Sequence, residues 1–330
     1  MHDMETKLRK AAKDLLESGK VETVVGFQNG SLPLRTRPHF VRDASVADTL
    51  VWNRFCTNNL AAYLPRLFEK PASVRGQWSP PKIAVAAKGC DARSIIGLIK
   101  EHQVPRGSVV IIAMPCQGMV DPRKADAAAG EAVTDCHAGA DGAFEVTTVS
   151  GRTRTLQRDQ VVAEACLGCL HPAPAIADVK VEGPSQAPAA ERFARAREFE
   201  AMAPAQRWEL FLKEIAKCIR CYACRQACPN CYCKSCFIEQ SKPNWAGAGD
   251  DPSDLLLFHI GRMFHQAGRC VECDACVRAC PMHIDLRLFT QKLVKDVEEL
   301  FGYVPGASLD DMPPLCAFQS DDSESFITHP

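Results

Sequence analysis

The chain has 330 residues, a formal net charge of −1 and 18 cysteines. This length allows two domains with cores of their own, and the near-zero charge provides no basic field for nucleic acid or an anionic membrane. The first twenty residues lack the apolar segment of an export signal, and the strongest apolar run, 109–114, is too short to span a bilayer. We therefore expect a cytoplasmic chain without a membrane span, whose many reduced thiols indicate metal or redox chemistry rather than disulfides.

The N-terminal half predicts alternating strands and helices. We expect a helix over 5–19, a strand over 23–27, a helix over 46–63, a buried strand over 82–87, a helix over 94–101, a second buried strand over 108–114, and a hairpin from segments 144–149 and 152–156. Two continuous apolar strands joined by a helix form a βαβ unit, which is typical of a parallel sheet.

The C-terminal half predicts mainly helices. A segment rich in Pro and Ala, 171–190, has the composition of a linker. Beyond it we expect helices over 191–201, 204–216, 254–266 (begun by Ser253) and 285–300 (ended by Gly302).

Two cysteine runs in this half share the spacing C-x2-C-x2-C-x3-C-P. The runs are Cys218, Cys221, Cys224 and Cys228, and then Cys270, Cys273, Cys276 and Cys280. In bacterial ferredoxins with this motif, the fourth cysteine of each run binds the cluster of the other run. We therefore assign one [4Fe–4S] cluster to Cys218, Cys221, Cys224 and Cys280, and a second to Cys270, Cys273, Cys276 and Cys228. A pair of structural zinc sites is the alternative, but it has no use for the repeated third cysteine and the proline.

The connection between the runs, 229–269, includes a predicted helix and so favours an all-helical ferredoxin domain. We therefore predict an α/β domain with a parallel sheet over 1–172, a linker and helix over 173–203, the helical domain with two clusters over 204–302, and an extended tail over 303–330. Cys231, Cys233 and Cys236 lie in the connection. They either bind a further centre or are small buried residues, and the second interpretation is favoured because no fourth local ligand is evident.

Four cysteines of the N-terminal half also point to one site. Cys90 and Cys116 each follow a predicted parallel strand, and the carboxyl ends of such strands border the ligand crevice of an open sheet. Cys166 and Cys169 form a CxxC pair after the hairpin. Two interpretations stay open: the four thiols bind a third [4Fe–4S] cluster, or Cys90 and Cys116 line an FAD pocket and the CxxC pair is structural.

Other motifs are absent from the sequence. It contains no glycine-rich dinucleotide fingerprint after a strand and no GxxxxGK[ST], so it offers no support for nicotinamide binding or nucleoside triphosphate chemistry. Cys56, Cys136 and Cys316 have no motif context, and His259 and His265 on one helix are expected to pack or to support other groups rather than bind metal.

The motifs resemble those of a known family. KGCDAR (88–93), MPCQG (114–118), ACLGC (165–169) and both cysteine runs resemble iron–sulfur subunits related to the beta subunit of deazaflavin-reducing hydrogenase and formate dehydrogenase. The resemblance implies a subunit of a cytoplasmic redox complex with hydrogenase, formate dehydrogenase or heterodisulfide-reductase-like partners. Beta subunits of that type bind FAD and exchange electrons with a deazaflavin. This chain departs from their pattern, because its ferredoxin motif follows the flavin domain, and it lacks the CCG pattern of the heterodisulfide-reducing subunit.

Three functions follow as expectations. The first is an electron relay through two clusters to or from a centre in the N-terminal domain. The second is a flavoprotein that oxidises or reduces a soluble hydride carrier such as a deazaflavin. The third is a binding subunit whose clusters only stabilise the fold.

Overall fold

The computed structural model describes residues 2–139, 141–247 and 249–316. The strands are β1 (Thr23–Asn29), β2 (Thr36–Val41), β3 (Ile83–Ala87), β4 (Val109–Ala113), β5 (Val133–Ala138), β6 (Phe144–Thr148), β7 (Thr153–Leu156) and β8 (Val179–Lys180). The helices are α1 (His2–Glu17), α2 (Leu64–Leu67), α3 (Gly89–Lys100), α4 (Pro122–Ala129), α5 (Arg158–Val161), α6 (Glu164–Leu167), α7 (Ala194–Ala201), α8 (Pro204–Ile215), α9 (Ala223–Gln226), α10 (Pro252–Gln266), α11 (Ala275–Ala279) and α12 (Leu286–Phe301).

The N-terminal half is built on a five-stranded sheet in the order β2-β1-β3-β4-β8. β1 pairs with β2 in antiparallel fashion, whereas the β1–β3, β3–β4 and β4–β8 pairs are parallel. All five residues of β3 are buried, because parallel strands are covered on both faces. The predicted βαβ unit is confirmed as β3, α3 and β4. The carboxyl ends of β3 and β4 therefore lie side by side.

A second, antiparallel sheet of β5, β6 and β7 packs beside α4 over a small core that includes Phe144, Val146 and Val162. The predicted hairpin is confirmed as β6 and β7. Gly151 occupies its turn with a φ of 79°, a conformation that glycine adopts without a steric penalty.

The C-terminal half is helical, as predicted. The rings of Phe211 on α8 and Phe289 on α12 meet edge to face at 5.0 Å between centroids, which joins these helices. Gly302 ends α12 in the left-handed conformation. The N-cap of α10 is Asp251, whose side chain accepts a hydrogen bond from the Ser253 amide, so the assignment of the cap to Ser253 is wrong by two residues.

Three other segments differ from expectation. The region 46–63 is not one helix but two 3-10 turns, Ala44–Thr49 and Leu60–Tyr63, capped by the side chains of Asp43 and Asn59. Helix α3 begins at Gly89, five residues before the predicted start at Ser94. The segment 173–203, predicted as a linker and helix, contains α7 and also adds β8 to the edge of the main sheet.

The predicted tail, 303–330, is described as far as Cys316, and 317–330 lie outside the described residues. Tyr303 is buried, and the carbonyl oxygen of Pro305 accepts a hydrogen bond from Arg93 on α3. The start of this segment is therefore packed against the α/β half. Within 2–139, 141–247 and 249–316, no helix is long and apolar enough to cross a membrane.

Candidate redox centres

The two cysteine runs have the same backbone geometry. In each run, the residue two positions after the first cysteine donates its amide to that cysteine's sulfur, from Arg220 to Cys218 and from Glu272 to Cys270, both at 3.4 Å. Both runs are therefore wound tightly around their first sulfur. Amide donors of this kind are a recognised means of tuning an iron–sulfur cluster.

The same residues also share an unusual conformation. Arg220 and Glu272 have positive φ values of 50° and 59°, and so do Tyr222 and Asp274, at 57° and 54°. Each pair is followed by a short helix, α9 or α11. Non-glycine residues rarely adopt this conformation, so its recurrence at four matched positions indicates a built loop rather than chance.

The fourth cysteine of the first run joins the second run. Cys228, Cys270, Cys273 and Cys276 line one cavity, which we call the central site. Burial raises the pKa of Cys273 to about 12, and the Cys228 thiolate adds to the shift. Four thiols that share a water-poor cavity repel one another as thiolates, and a multivalent cation or a cluster would relieve that repulsion.

The fourth cysteine of the second run lies with the first run. Cys224 and Cys280 are buried in one apolar cluster with Phe258, and Cys218 packs against it. Burial raises the pKa of Cys224 to about 11 and also raises the pKa of Cys218, and the Cys280 thiolate adds to both shifts. Cys221 is exposed. We call the set Cys218, Cys221, Cys224 and Cys280 the outer site.

The surroundings of a buried arginine indicate whether these sites suit an anionic cluster. Arg262 on α10 is 4% exposed and lines the central site. Its Nη2 donates to the carbonyl oxygen of Cys224 at 3.3 Å, whereas Nε and Nη1 have no hydrogen-bond partner in the part of the chain that the structure describes. No ion pair joins it to a carboxylate of the described chain. A buried cation needs a counter-charge, and the surrounding thiolates raise its pKa against the effect of burial. The residues present therefore fit a cluster held by thiolates.

The four N-terminal cysteines line a single cavity of about 60 Å³, which we call the inner site. Cys90 lies in the first turn of α3, Cys116 follows β4, and Cys166 and Cys169 lie in and after α6. Burial raises the pKa of Cys116 to about 12, and the Cys166 thiolate adds to the shift. The predicted juxtaposition of these four residues is therefore present. What they bind stays a prediction.

Amide donors recur at the inner site. Gly118 donates to the Cys116 sulfur and His171 to the Cys169 sulfur, each from two positions further along the chain and each at 3.4 Å. This contact is the one made at Cys218 and Cys270. The two halves of the molecule therefore present sulfurs in the same local way, although the CxxCxxC spacing is absent from the N-terminal half.

The three sites form a row. Cys273 of the central site also lines the inner site, and Asp274 accepts a hydrogen bond from the Ala165 amide, next to Cys166, at 3.0 Å. Arg262 lies beside thiols of the central and outer sites. In the part of the chain that the structure describes, no three or more His, Cys, Asp or Glu side chains are grouped to hold a single metal ion.

The three cysteines between the runs, Cys231, Cys233 and Cys236, lie in different environments. Cys231 adjoins Cys228: the Gln266 amide nitrogen donates to the Cys231 sulfur at 3.2 Å, and the Cys228 thiol donates to the Gln266 oxygen at 3.5 Å. Cys233 is exposed, and Cys236 packs at the edge of the apolar cluster around Phe258. Cys56 and Cys136 are buried, and Cys316 is exposed.

Cationic residues near the sites were not singled out from the sequence. Lys88, Arg93 and Arg278 line the inner site. Two of them belong to the KGCDAR segment and the third to the second cysteine run. Their position inside cysteine motifs could therefore have identified them from the sequence as site residues. Arg278 bridges the halves by donating to the carbonyl oxygens of Cys273 and Thr57, at 2.9 and 2.7 Å.

A groove of about 660 Å³ opens beside the central site. It is bordered by Cys228, Cys231 and Cys233, and by more cations than carboxylates. The cations are Arg35, Arg66, Arg123, Arg225, Lys234 and Arg278, and the carboxylates are Glu69 and Asp121. The groove therefore favours an anionic occupant.

Fold and sites together define an α/β protein with a cysteine-rich helical half and three neighbouring sets of thiols. The F420-dependent formate dehydrogenase subunit beta of Methanocaldococcus jannaschii is 25% identical, over 71% of this chain and 76% of that protein. The F420-dependent formate dehydrogenase 1 subunit beta of Methanococcus maripaludis is 24% identical, over 92% of this chain and 90% of that protein. The chain is related to these beta subunits, as the motifs predicted.

One solved structure is also similar. It is a chain of the F420-reducing [NiFe] hydrogenase complex from Methanosarcina barkeri, with 14% identity and a TM-score of 0.38, over 52% of this chain and 61% of that chain. No protein-family model matches the chain.

Proposed function

We propose that the chain is the iron–sulfur electron-transfer subunit of an oxidoreductase complex. It relays electrons through two [4Fe–4S] clusters, at the outer and central sites, to or from a centre at the inner site. The observation that carries this proposal is the crossed grouping of the cysteines, in which Cys228 lies with the second run and Cys280 with the first. This exchange is what a two-cluster ferredoxin motif requires.

The chain's residues support such a relay in three ways. Four thiolates at each site supply the donor set of a cubane, and backbone amides donate to Cys218 and Cys270. Burial of the central thiols excludes water, and the shared Cys273 brings the central and inner sites together. When bound, the clusters would supply one-electron transfer between neighbouring sites.

The relatives are named as beta subunits of formate dehydrogenases. We infer that this chain likewise works beside other subunits, of a formate dehydrogenase, hydrogenase or heterodisulfide-reductase-like complex. The net charge of −1 provides no basic field for a nucleic acid partner.

The basic groove beside Cys228 favours a second candidate function, a flavoprotein that exchanges hydride with a soluble carrier such as a deazaflavin. Its volume of about 660 Å³ suits the pyrophosphate of FAD, and so do the four of its cationic side chains that form no ion pair among the described residues, Arg35, Arg66, Arg123 and Arg278. A flavin there would lie next to the central site, where single electrons could leave it.

Metal and flavin content test the proposal. Protein purified without oxygen should contain about eight iron and eight sulfide per chain, or about twelve of each if the inner site also holds a cubane. Reduction should produce paramagnetic clusters that reoxidise reversibly. Zinc in place of iron would overturn the proposal. One FAD per chain, together with steady oxidation of a deazaflavin by the pure chain, would establish the second candidate instead.

Cys316→Ser provides a matched control, because Cys316 is exposed and belongs to none of the three sites. Its iron and sulfide should equal those of the unaltered chain. A loss of iron in this variant would mean that iron content follows total thiol number rather than the three sites.

A further inference from the structure

Two buried arginines lie along the row of sites without a carboxylate partner. Arg262 is 4% exposed and Arg93 is 7% exposed, and no ion pair joins either to a carboxylate of the described chain. Among the described residues, no hydrogen-bond partner is found for three buried guanidinium nitrogens, Nε and Nη1 of Arg262 and Nη2 of Arg93. A buried charge in this condition is costly unless an anion lies against it.

Arg262 occupies the gap between the outer and central sites. It extends from α10, lines the cavity of the central cysteines, and anchors one nitrogen on the carbonyl oxygen of Cys224 in the outer site. Four neighbouring thiolates raise the pKa of its guanidinium, those of Cys276, Cys224, Cys228 and Cys231. A single cation therefore adjoins both sets of thiols.

Arg93 lies between the inner site and the start of the second cysteine run. It extends from α3, and its Nε and Nη1 donate to the carbonyl oxygens of Pro305 and Val271, at 2.8 and 3.4 Å. Val271 follows Cys270 of the central site, and Arg93 itself lines the inner site. It is therefore close to the central site and separated from the outer one.

Neighbouring charges do not duplicate this role. Two carboxylates adjoin the central cysteines, Glu272 and Asp274, and each is already paired with a buried arginine. Arg192 is the partner of Glu272, and Arg287 lies 3.1 Å from Asp274. Arg192 also pairs with Glu298 at 2.7 Å, and Arg287 lies 3.9 Å from Glu272. Arg262 and Arg93 form no such ion pair with a carboxylate of the described residues.

We propose that Arg262 and Arg93 are positioning residues that set the reduction potentials of the clusters, with Arg262 acting on the outer and central clusters together and Arg93 acting on the central cluster but not on the outer one. This inference rests on the proposed function, because it requires clusters at both sites. Reduction adds a negative charge to a cluster, and a fixed cation at close range in a poorly solvated site favours that charge. Unpaired guanidinium N–H groups provide donors to cluster sulfur as well.

Redox titration of the full chain, followed by electron paramagnetic resonance, tests the inference. Arg262→Gln should shift the midpoint potentials of the outer and central clusters to lower values, whereas Arg93→Gln should lower that of the central cluster and leave that of the outer cluster unchanged. Arg262→Lys keeps the positive charge but lacks the forked donors of the guanidinium. It should therefore shift both midpoint potentials by less than Arg262→Gln does. Cys221→Ser, which alters an exposed ligand, identifies the signal of the outer cluster. Arg197→Gln, which removes an exposed cation, should leave both potentials unchanged.

The outcomes separate the two claims. An unaltered chain without paramagnetic clusters would contradict the proposed function. Clusters whose potentials are the same in Arg262→Gln and in the unaltered chain would contradict the inference and leave the proposed function standing. A shift of one cluster only in Arg262→Gln would show that this arginine is not shared. If Arg262→Gln does not retain clusters, the inference is tested by the midpoint potentials of Arg262→Lys relative to those of Arg197→Gln.

Discussion

Replacing Asp91 by Asn tests how the start of α3 is held in place at the inner site. Asp91 is fully buried, and its Oδ2 lies 2.9 Å from the ammonium of Lys88, which is 2% exposed. The same carboxylate accepts hydrogen bonds from the backbone amides of Lys88 and Leu60, at 2.8 and 3.1 Å. It therefore both neutralises Lys88 and ties α3 to the preceding turn, one residue from Cys90.

The structure sets the expected magnitude. Removal of one partner from a buried ion pair costs about 3–5 kcal/mol, because the other charge stays buried. Lys88 would keep the carbonyl oxygen of Asn58 at 2.9 Å and the face of the Phe27 ring at 4.8 Å. Because these contacts partly stabilise the remaining charge of Lys88, we expect the lower end of that range, a loss of about 3 kcal/mol in the free energy of unfolding. In urea, with a slope of about 3 kcal/mol per molar, the midpoint should fall by about 1 M.

Asp48→Asn is the matched control, since Asp48 pairs with Lys13 at 2.7 Å on the surface with 64% of its side chain exposed. Exposed pairs contribute about 1 kcal/mol or less. Lys88→Met combined with Asp91→Asn should recover part of the loss, because no buried charge then remains. If Asp91→Asn destabilises no more than Asp48→Asn, the buried pair does not hold α3, and the reasoning is wrong.

Three further predictions concern the sites. Cys228→Ser should remove about four iron atoms and the signal of the central cluster, whereas Cys280→Ser should remove the signal of the outer cluster. If each variant instead loses the cluster held by the run to which its replaced cysteine belongs, the crossed assignment is contradicted. Cys90→Ser or Cys116→Ser should remove about four iron atoms if the inner site holds a cubane. Unchanged iron with loss of flavin would instead place the FAD at the inner site rather than in the basic groove. Burial lowers the pKa of His259 to about 4 from its ordinary 6.5. As the pH falls, the histidine is therefore protonated in the unfolded chain before it is protonated in the folded one, and the free energy of unfolding should fall by up to about 3 kcal/mol between pH 6.5 and pH 4. His259→Gln should flatten this part of the pH profile, as measured by urea unfolding. An unchanged slope in His259→Gln would contradict the prediction.

Local patterns explain what the sequence could predict. The strands β3 and β4 and the hairpin of β6 and β7 have apolar runs and turn residues that suffice to identify them. The cysteine spacing predicts the crossed grouping at the outer and central sites through the ferredoxin motif, in which the fourth cysteine of each run serves the cluster of the other run. Their metal content remains a prediction.

Long-range contacts explain what the sequence could not predict. The region 46–63 has helix-like spacing, yet Asn59 donates to Ser94 on α3 and its side chain caps a 3-10 turn instead. Strand β8 has two residues and exists only because β4 offers an open edge. Arg262 lies on an ordinary helical stretch, and its burial beside thiols depends on elements distant in the chain.

The inner site differs from the other two in how it is assembled. The outer and central sites take their cysteines from two compact loops, whereas the inner site collects Cys90 and Cys116 from adjacent strand ends and Cys166 and Cys169 from a segment beyond the second sheet. Gly89 permits this closure, because a Cβ there would lie 1.9 Å from the carbonyl oxygen of His171. The inner site therefore exists only when the α/β half is folded and its CxxC segment is docked. Since Asp274 of the central run also holds that segment through Ala165, the innermost step of the proposed relay depends on the contact between the two halves of the molecule.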